Sequence, residues 1–179
     1  MDKTLIFVGS SRRGTTFNFA NAYAKHLKSG FDLVRYKNTM QPCMGCRKCV
    51  HYGGSLPQCV INDPLSDLFK LWNYSKVVLC SPVYCFYLSA QAKTFIDRFV
   101  INPIEGTKLG LILVGGDSFE NNRASNIIAT LETFCDYFEP KLQWGGFVYK
   151  RTHDRICRPG DVDREMLKAL AAKMGETIV

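Results

Sequence analysis

The chain has 179 residues, 46% of them hydrophobic, which suits one domain, residues 1–179, with a sizeable core. Its formal net charge is +7, from basic residues that cluster only in Lys150–Arg158; no nucleic-acid motif accompanies them, and a charged surface loop or a minor part in holding a phosphorylated ligand are the two readings of that run. The apolar run Leu5–Val8 is too short for a signal-peptide core and no window reaches membrane-span length, so the expectation is a cytoplasmic protein with mostly reduced thiols and no membrane or nucleic-acid partner.

In chain order, Thr4–Val8 reads as a buried strand. Phe17, Ala20, Ala24 and Leu27 then recur at helical spacing, and that helix is expected to stop at Gly30. Phe31–Arg35 is a second strand, followed by a cysteine-rich loop at 42–59. Asp63 before Pro64 reads as the N-cap and first turn of a helix running to Trp72. Lys76–Ser81, Lys108–Val114 and Leu142–Tyr149 are strands; Ser89–Val100 and Ala124–Phe138 are helices. Asp161 or Asp163 caps a last helix that Gly175 ends. Five strands alternating with five helices argue an α/β protein, a three-layer doubly wound domain with a five-stranded parallel sheet. In such sheets ligands sit at the carboxyl ends of the strands, by the topological switch.

Three loops lie at that edge. Gly9–Thr16, "GSSRRGTT", offers hydroxyls from Ser10, Ser11, Thr15 and Thr16, the N–H groups of a helix start, and Arg12 or Arg13. No Gly-Lys-Ser/Thr follows and there is no GxGxxG, so a monophosphate such as FMN fits better than a dinucleotide; the alternative is an N-cap beside a solvated arginine pair. Ser81–Ala90, "SPVYCFYLSA", is a candidate platform for a planar ring, or else a set of core or interface aromatics. Gly115–Asn122 opens with a glycine pair that permits close backbone approach, or makes an ordinary turn.

Together with "CMGCRKC" and "SPVYCFYLSAQAKTFIDR", these loops resemble, in order and over almost the whole chain, the NAD(P)H-dependent FMN reductase family of the flavodoxin-like fold, in its iron–sulfur flavoprotein-like branch. The resemblance implies strand order 2-1-3-4-5. It implies FMN held by Ser10, Arg12, Gly14, Thr15 and Thr16 at the phosphate, and by Pro82, Val83, Tyr84, Cys85, Phe86, Gly115, Gly116 and Asp117 around the ring. It also implies a homodimer or homotetramer whose neighbouring subunits help close the flavin site. Hydride from NAD(P)H would pass through the flavin to a flavin, quinone or protein acceptor, with no side chain needed as acid or base. The alternative is a non-enzymatic electron carrier.

Cys43, Cys46, Cys49 and Cys59 form a C-x2-C-x2-C run plus one remote thiol. That spacing permits a [4Fe–4S] cluster, a four-thiolate zinc site, or free or redox-active thiols, and the three readings stay open. His51 within the loop reads as a solvated side chain, with metal ligation as the alternative. Cys80, Cys135 and Cys157 read as small buried hydrophobes. Lys93, Asp97 and Arg98 share one helix and suggest a surface ion pair or a subunit contact; His26 and His153 are isolated, and no hydrolase constellation is present.

Overall fold

The computed structural model describes residues 3–51, 59–99, 105–152 and 162–176. Its elements, in order, are β1 (Lys3–Val8), α1 (Thr15–His26), β2 (Gly30–Arg35), α2 (Lys48–His51), α3 (Pro64–Lys70), β3 (Lys76–Tyr84), β4 (Tyr87–Leu88), α4 (Ala90–Phe99), β5 (Thr107–Gly115), α5 (Ala124–Tyr137), β6 (Leu142–Arg151) and α6 (Arg164–Lys173). The parallel sheet runs β2-β1-β3-β5-β6, the doubly wound order with its switch between β1 and β3; the two-residue β4 pairs antiparallel with β3.

The alternation of side chains along each strand divides the core in two. Leu5 and Phe7 face a layer made by α3, α4 and α5, through Leu65, Phe69, Phe95, Phe99, Ile127 and Leu131. Phe7 stacks on Phe95 with ring centroids 4.3 Å apart. Ile6 and Val8 face α1 and α6, through Phe19, Ala20, Tyr23, Leu167 and Leu170. With both faces covered, β1 has no polar alternation, which is why it reads as one apolar run.

Several boundaries differ from the sequence expectation. α1 ends at His26, not Gly30, because Leu27 turns to an extended conformation and buries its side chain beneath the sheet. β3 continues past Ser81 to Tyr84 and folds back through Cys85 and Phe86 into β4, so the segment read as a loop is largely a hairpin. Both turn residues have positive φ, 48° and 64°, the pattern of a two-residue I′ turn that usually takes Asn or Gly. Asp63 caps α3 as expected, accepting from Ser66 N, and Asp163 caps α6, accepting from Met166 N. Asp161, His153 and Cys157 lie outside the described residues. Among those described, no helix is long and apolar enough to cross a membrane.

Candidate functional site

The carboxyl ends of β1, β3, β5 and β6 surround a cleft of about 220 Å³. Ser10, Arg12, Arg13, Gly14, Thr15 and Thr16 form one side, Pro82, Val83 and Tyr84 the second, and Val114, Gly115, Gly116 and Thr152 the third. Ten of the thirteen residues expected from the sequence to contact a flavin thus line one space. Cys85, Phe86 and Asp117 do not: Cys85 and Phe86 sit exposed at the hairpin tip, and Asp117 stands exposed beside the glycine pair. Arg13 shares the lining with Arg12, and Thr152, the first residue after the last strand, was not singled out.

The head of α1 has no side-chain cap; Gly14 occupies the cap position in an extended conformation. A helix start without a side-chain cap is where backbone N–H groups and the helix dipole together favour negative charge. None of the described lining residues is acidic, and two are arginines. Arg12 Nη2 donates to Tyr84 Oη (3.0 Å) across the cleft, and Arg35 Nη1 donates to Ser11 O (2.6 Å), so the loop is tied from both sides. The donor set, hydroxyls with helix-start amides and guanidinium, fits a phosphate monoester.

The loop's path is fixed from behind by groups the sequence did not reveal as a unit. Gly9 N donates to Cys80 O (2.7 Å) and Ser89 Oγ donates to Gly9 O (2.6 Å). Ser89 Oγ also accepts from Ala92 N (3.1 Å), and Ser89 N donates to Ser81 Oγ (3.1 Å). A Cβ on Gly9 would lie 2.5 Å from Ala92 Cβ and 2.7 Å from its Cα, so only glycine lets the loop rest on the first turn of α4. On the far side, Tyr149 Oη donates to Asp117 O (2.6 Å) and accepts from Asn122 Nδ2 (2.6 Å). A Cβ on Gly115 would meet that hydroxyl at 2.2 Å. The Asp117 carboxylate accepts from Ser118 N and Asn121 Nδ2, which hold its pKa below the usual carboxylate range; it is engaged rather than poised as a base.

The cysteine loop leaves β2 at the same edge of the sheet. Cys43 and Cys46 are exposed, Cys49 and Cys59 half-buried. Burial first, then the neighbouring Cys59, Cys43 and Cys46 thiols, push the Cys49 pKa up, so the four share one locality. Gly45 N donates to Cys43 Sγ (3.4 Å). Among the described residues no three His, Cys, Asp or Glu side chains converge as a metal site. The four thiols suit a thiolate-bound centre in kind, while their positions are not those of ligands already gathered around an ion.

Arg98 departs from the surface reading. Lys93 pairs with Asp97 on the exposed face of α4, but Arg98 is 1% exposed. Its Nη1 donates to Asp63 Oδ2 (2.7 Å) and Gln41 O (2.8 Å); its Nη2 donates to Asp63 Oδ1 (2.9 Å) and Ser66 Oγ (2.5 Å). Burial alone would raise the Asp63 pKa; Arg98 and the Gln41 and Ser66 N–H groups outweigh it and hold the carboxyl at about 2. Burial opposes the Arg98 charge too, yet Asp63 and the adjacent Cys59 keep its pKa above the ordinary value.

The family model described as NADPH-dependent FMN reductase matches residues 3–134. Over 104 residues the chain is 35% identical to an iron–sulfur flavoprotein of Archaeoglobus fulgidus, covering 55% of this chain and 46% of that one, so the match spans about half the relative's length. It is 26% identical over 153 residues to an iron–sulfur flavoprotein of Methanocaldococcus jannaschii, covering 78% and 75% of the two chains. Among solved structures, a Streptococcus pneumoniae flavodoxin shares the fold with a TM-score of 0.58 at 14% identity, over 99% of this chain and 97% of that one.

Proposed function

The chain belongs to the NADPH-dependent FMN reductase family, and from that premise we propose that it is an NAD(P)H-dependent flavoprotein oxidoreductase holding FMN in the cleft at the head of α1. The observation that carries the reading is the convergence there of a helix start without a side-chain cap, five hydroxyl side chains and two arginines, with no acidic residue among the described lining. Ser10, Thr15 and Thr16, with Gly14 and the first-turn amides, take the phosphate; Arg12, fixed by Tyr84, holds positive charge beside it. Pro82, Val83 and Tyr84 on one side, and Gly115 and Gly116 on the other, border the ring, with Cys85, Phe86 and Asp117 exposed next to them in sequence, outside the cleft lining. When bound, FMN supplies a two-electron acceptor for hydride from NAD(P)H and a donor to the next acceptor.

The protein's part is orientation and electrostatics. Gly115 and Gly116 let backbone approach the ring closely, and Tyr149 fixes their loop. No cleft side chain need move a proton. A cleft of 220 Å³ is smaller than pockets that enclose a whole ligand of this size, which supports a homodimer or homotetramer in which a second subunit covers the exposed Tyr84 and Phe86. Cys43, Cys46, Cys49 and Cys59 form a thiol centre on the same edge, with a [4Fe–4S] cluster as its iron-bound form; no electron step is assigned to it. The acceptor is a flavin, a quinone or a protein, in the cytoplasm.

Thr15→Glu tests the phosphate placement. Acidic residues in a first turn favour the helix dipole, so folding is preserved while a carboxylate meets the phosphate. FMN affinity, read by fluorescence titration, is expected to fall at least about tenfold, the factor that 1.4 kcal/mol of repulsion produces. Unchanged affinity would remove the phosphate from this cleft. If neither NADH nor NADPH reduces the FMN-loaded protein anaerobically, the non-enzymatic electron-carrier reading replaces the enzyme.

A further inference from the structure

The cysteine loop is closed at its neck by a buried ion pair. Gln41, two residues before Cys43, is gripped on both sides of its backbone: its N–H donates to Asp63 Oδ2 (2.8 Å) and its carbonyl accepts from Arg98 Nη1 (2.8 Å). Ile61, two residues after Cys59, is held through its carbonyl by the Ser66 hydroxyl, which itself accepts from Arg98 Nη2. One guanidinium on α4 therefore secures both strands of the loop where they enter and leave. Arg98 Nε is buried and without a hydrogen-bond partner among the described residues, and Cys59 is near enough to the Arg98 side chain to support its charge.

We propose that Arg98 and Asp63 are positioning residues for the cysteine loop, and that their clasp keeps Cys59 within reach of Cys43, Cys46 and Cys49 so that the four thiols take up a thiophilic cation as one set. This rests on the reading of those cysteines as a thiol centre. The reach of the chain supports it. Two residues span at most about 7 Å, so Cys43 and Cys59 each stay close to a neck whose two sides are joined through Arg98, Asp63 and Ser66. Freed from the neck, Cys59 would be tied to Cys43 only through the intervening chain, whose ends cost conformational entropy to bring together. The ligand set would then have to be gathered against that entropy at each binding event. The clasp also joins the loop to the flavin cleft. Arg98 lies about 9 Å along α4 from Ala92, on which the Gly9 turn rests.

The test uses the full chain, reduced and loaded with FMN, and Cd(II) as the probe. Thiolate-to-cadmium absorbance is titrated for the native sequence and for Arg98→Met/Asp63→Leu. Replacing a buried ion pair by apolar side chains of similar size often leaves a fold intact, and FMN titration verifies that here. The native chain is expected to bind one Cd(II) with a thiolate band. The double variant is expected to bind it at least about tenfold more weakly, in the range seen when groups that orient metal ligands are removed, with FMN affinity within about twofold of native. If the double variant loses FMN binding, Arg98→Lys replaces it: the charge stays buried, the two-pronged contact to Asp63 is lost, and a fall in Cd(II) affinity is again expected. Equal Cd(II) affinity in native chain and FMN-competent variant overturns the clasp while leaving the thiol centre standing. Absence of a thiolate band in the native chain overturns the thiol centre, and the clasp's role with it.

Discussion

Substituting Gly9 by alanine separates the architecture of the phosphate loop from its chemistry, because the added methyl touches neither the cleft hydroxyls nor the arginines. The new Cβ would sit 2.5 Å from Ala92 Cβ, 2.7 Å from Ala92 Cα and 2.8 Å from Ala92 N. Two of those three atoms are helix backbone, so no rotamer change relieves the overlap; the loop must lift from α4. Lifting it strains the bonds from Gly9 N to Cys80 O and from Ser89 Oγ to Gly9 O. Overpacking costs about 1–3 kcal/mol, and each weakened hydrogen bond adds about 1 kcal/mol. For a domain of this size each kcal/mol moves Tm by about 2–4 °C, so a loss of about 3 kcal/mol lowers it by roughly 6–12 °C. FMN affinity should fall with it, since Ser10 follows Gly9 directly. Thermal unfolding and fluorescence titration read the two effects. Adding Ala92→Gly removes the closest contact but neither backbone contact, so the pair should recover part of the loss and not all. Wild-type Tm and FMN affinity in Gly9→Ala would refute the packing argument, and full recovery in the double variant would refute the role given to the α4 backbone.

Asp63 predicts an acid limit. Its folded pKa is depressed from 3.8 to about 2, so its contribution is present above about pH 4 and lost as pH falls through about 2. That shift is worth about 2 kcal/mol. Denaturant titrations should show Asp63→Asn destabilised at pH 7, because Arg98 loses its counter-charge, yet less sensitive than the native chain between pH 4 and 2. Brief alkylation of the native protein should modify the exposed Cys43, Cys46 and Cys85 first. It should leave Cys80, fully buried, and Cys135, whose thiol burial pushes up to about 12, until last; peptide mass spectrometry reads the order, and early labelling of Cys80 contradicts the placement of β3.

Local signals carried much of this structure. β1, β3 and β5 announce themselves as apolar runs because both of their faces are covered, and the Gly9–Thr16 loop is legible as a side of the cleft because hydroxyls and a glycine stand where strand gives way to helix. What escaped the sequence depends on partners far along the chain. Arg98 sits at helical spacing beside Lys93 and Asp97 and reads as one more surface charge; its partner Asp63 lies 35 residues away, and no periodicity links them. Tyr149 reads as the end of a strand, and only the folded sheet brings its hydroxyl to Asp117 O. The β3–β4 hairpin was missed because Cys85 and Phe86 hold left-handed conformations without the residues that normally mark them. Thr152 lies in the basic run Lys150–Arg158, for which a minor part in holding a phosphorylated ligand is one reading, but nothing in the sequence singles it out within that run.

The two-sided burial of β1 also imposes an order on synthesis. One face of the strand, Ile6 and Val8, finds α1 within the next twenty residues and can be covered almost at once. The other, Leu5 and Phe7, meets Leu65 and Phe69 only after roughly sixty residues and Phe95 and Phe99 after roughly ninety, and at about 5–20 residues per second a ribosome takes several seconds or more to deliver them all. β1 must also leave room for β3, its neighbour in the sheet, which reaches it only after the cysteine loop has emerged. Throughout that interval the nascent chain presents an apolar strand face with four cysteine thiols trailing behind it. The longer that interval lasts, the longer an uncovered apolar surface is open to aggregation before the domain can close.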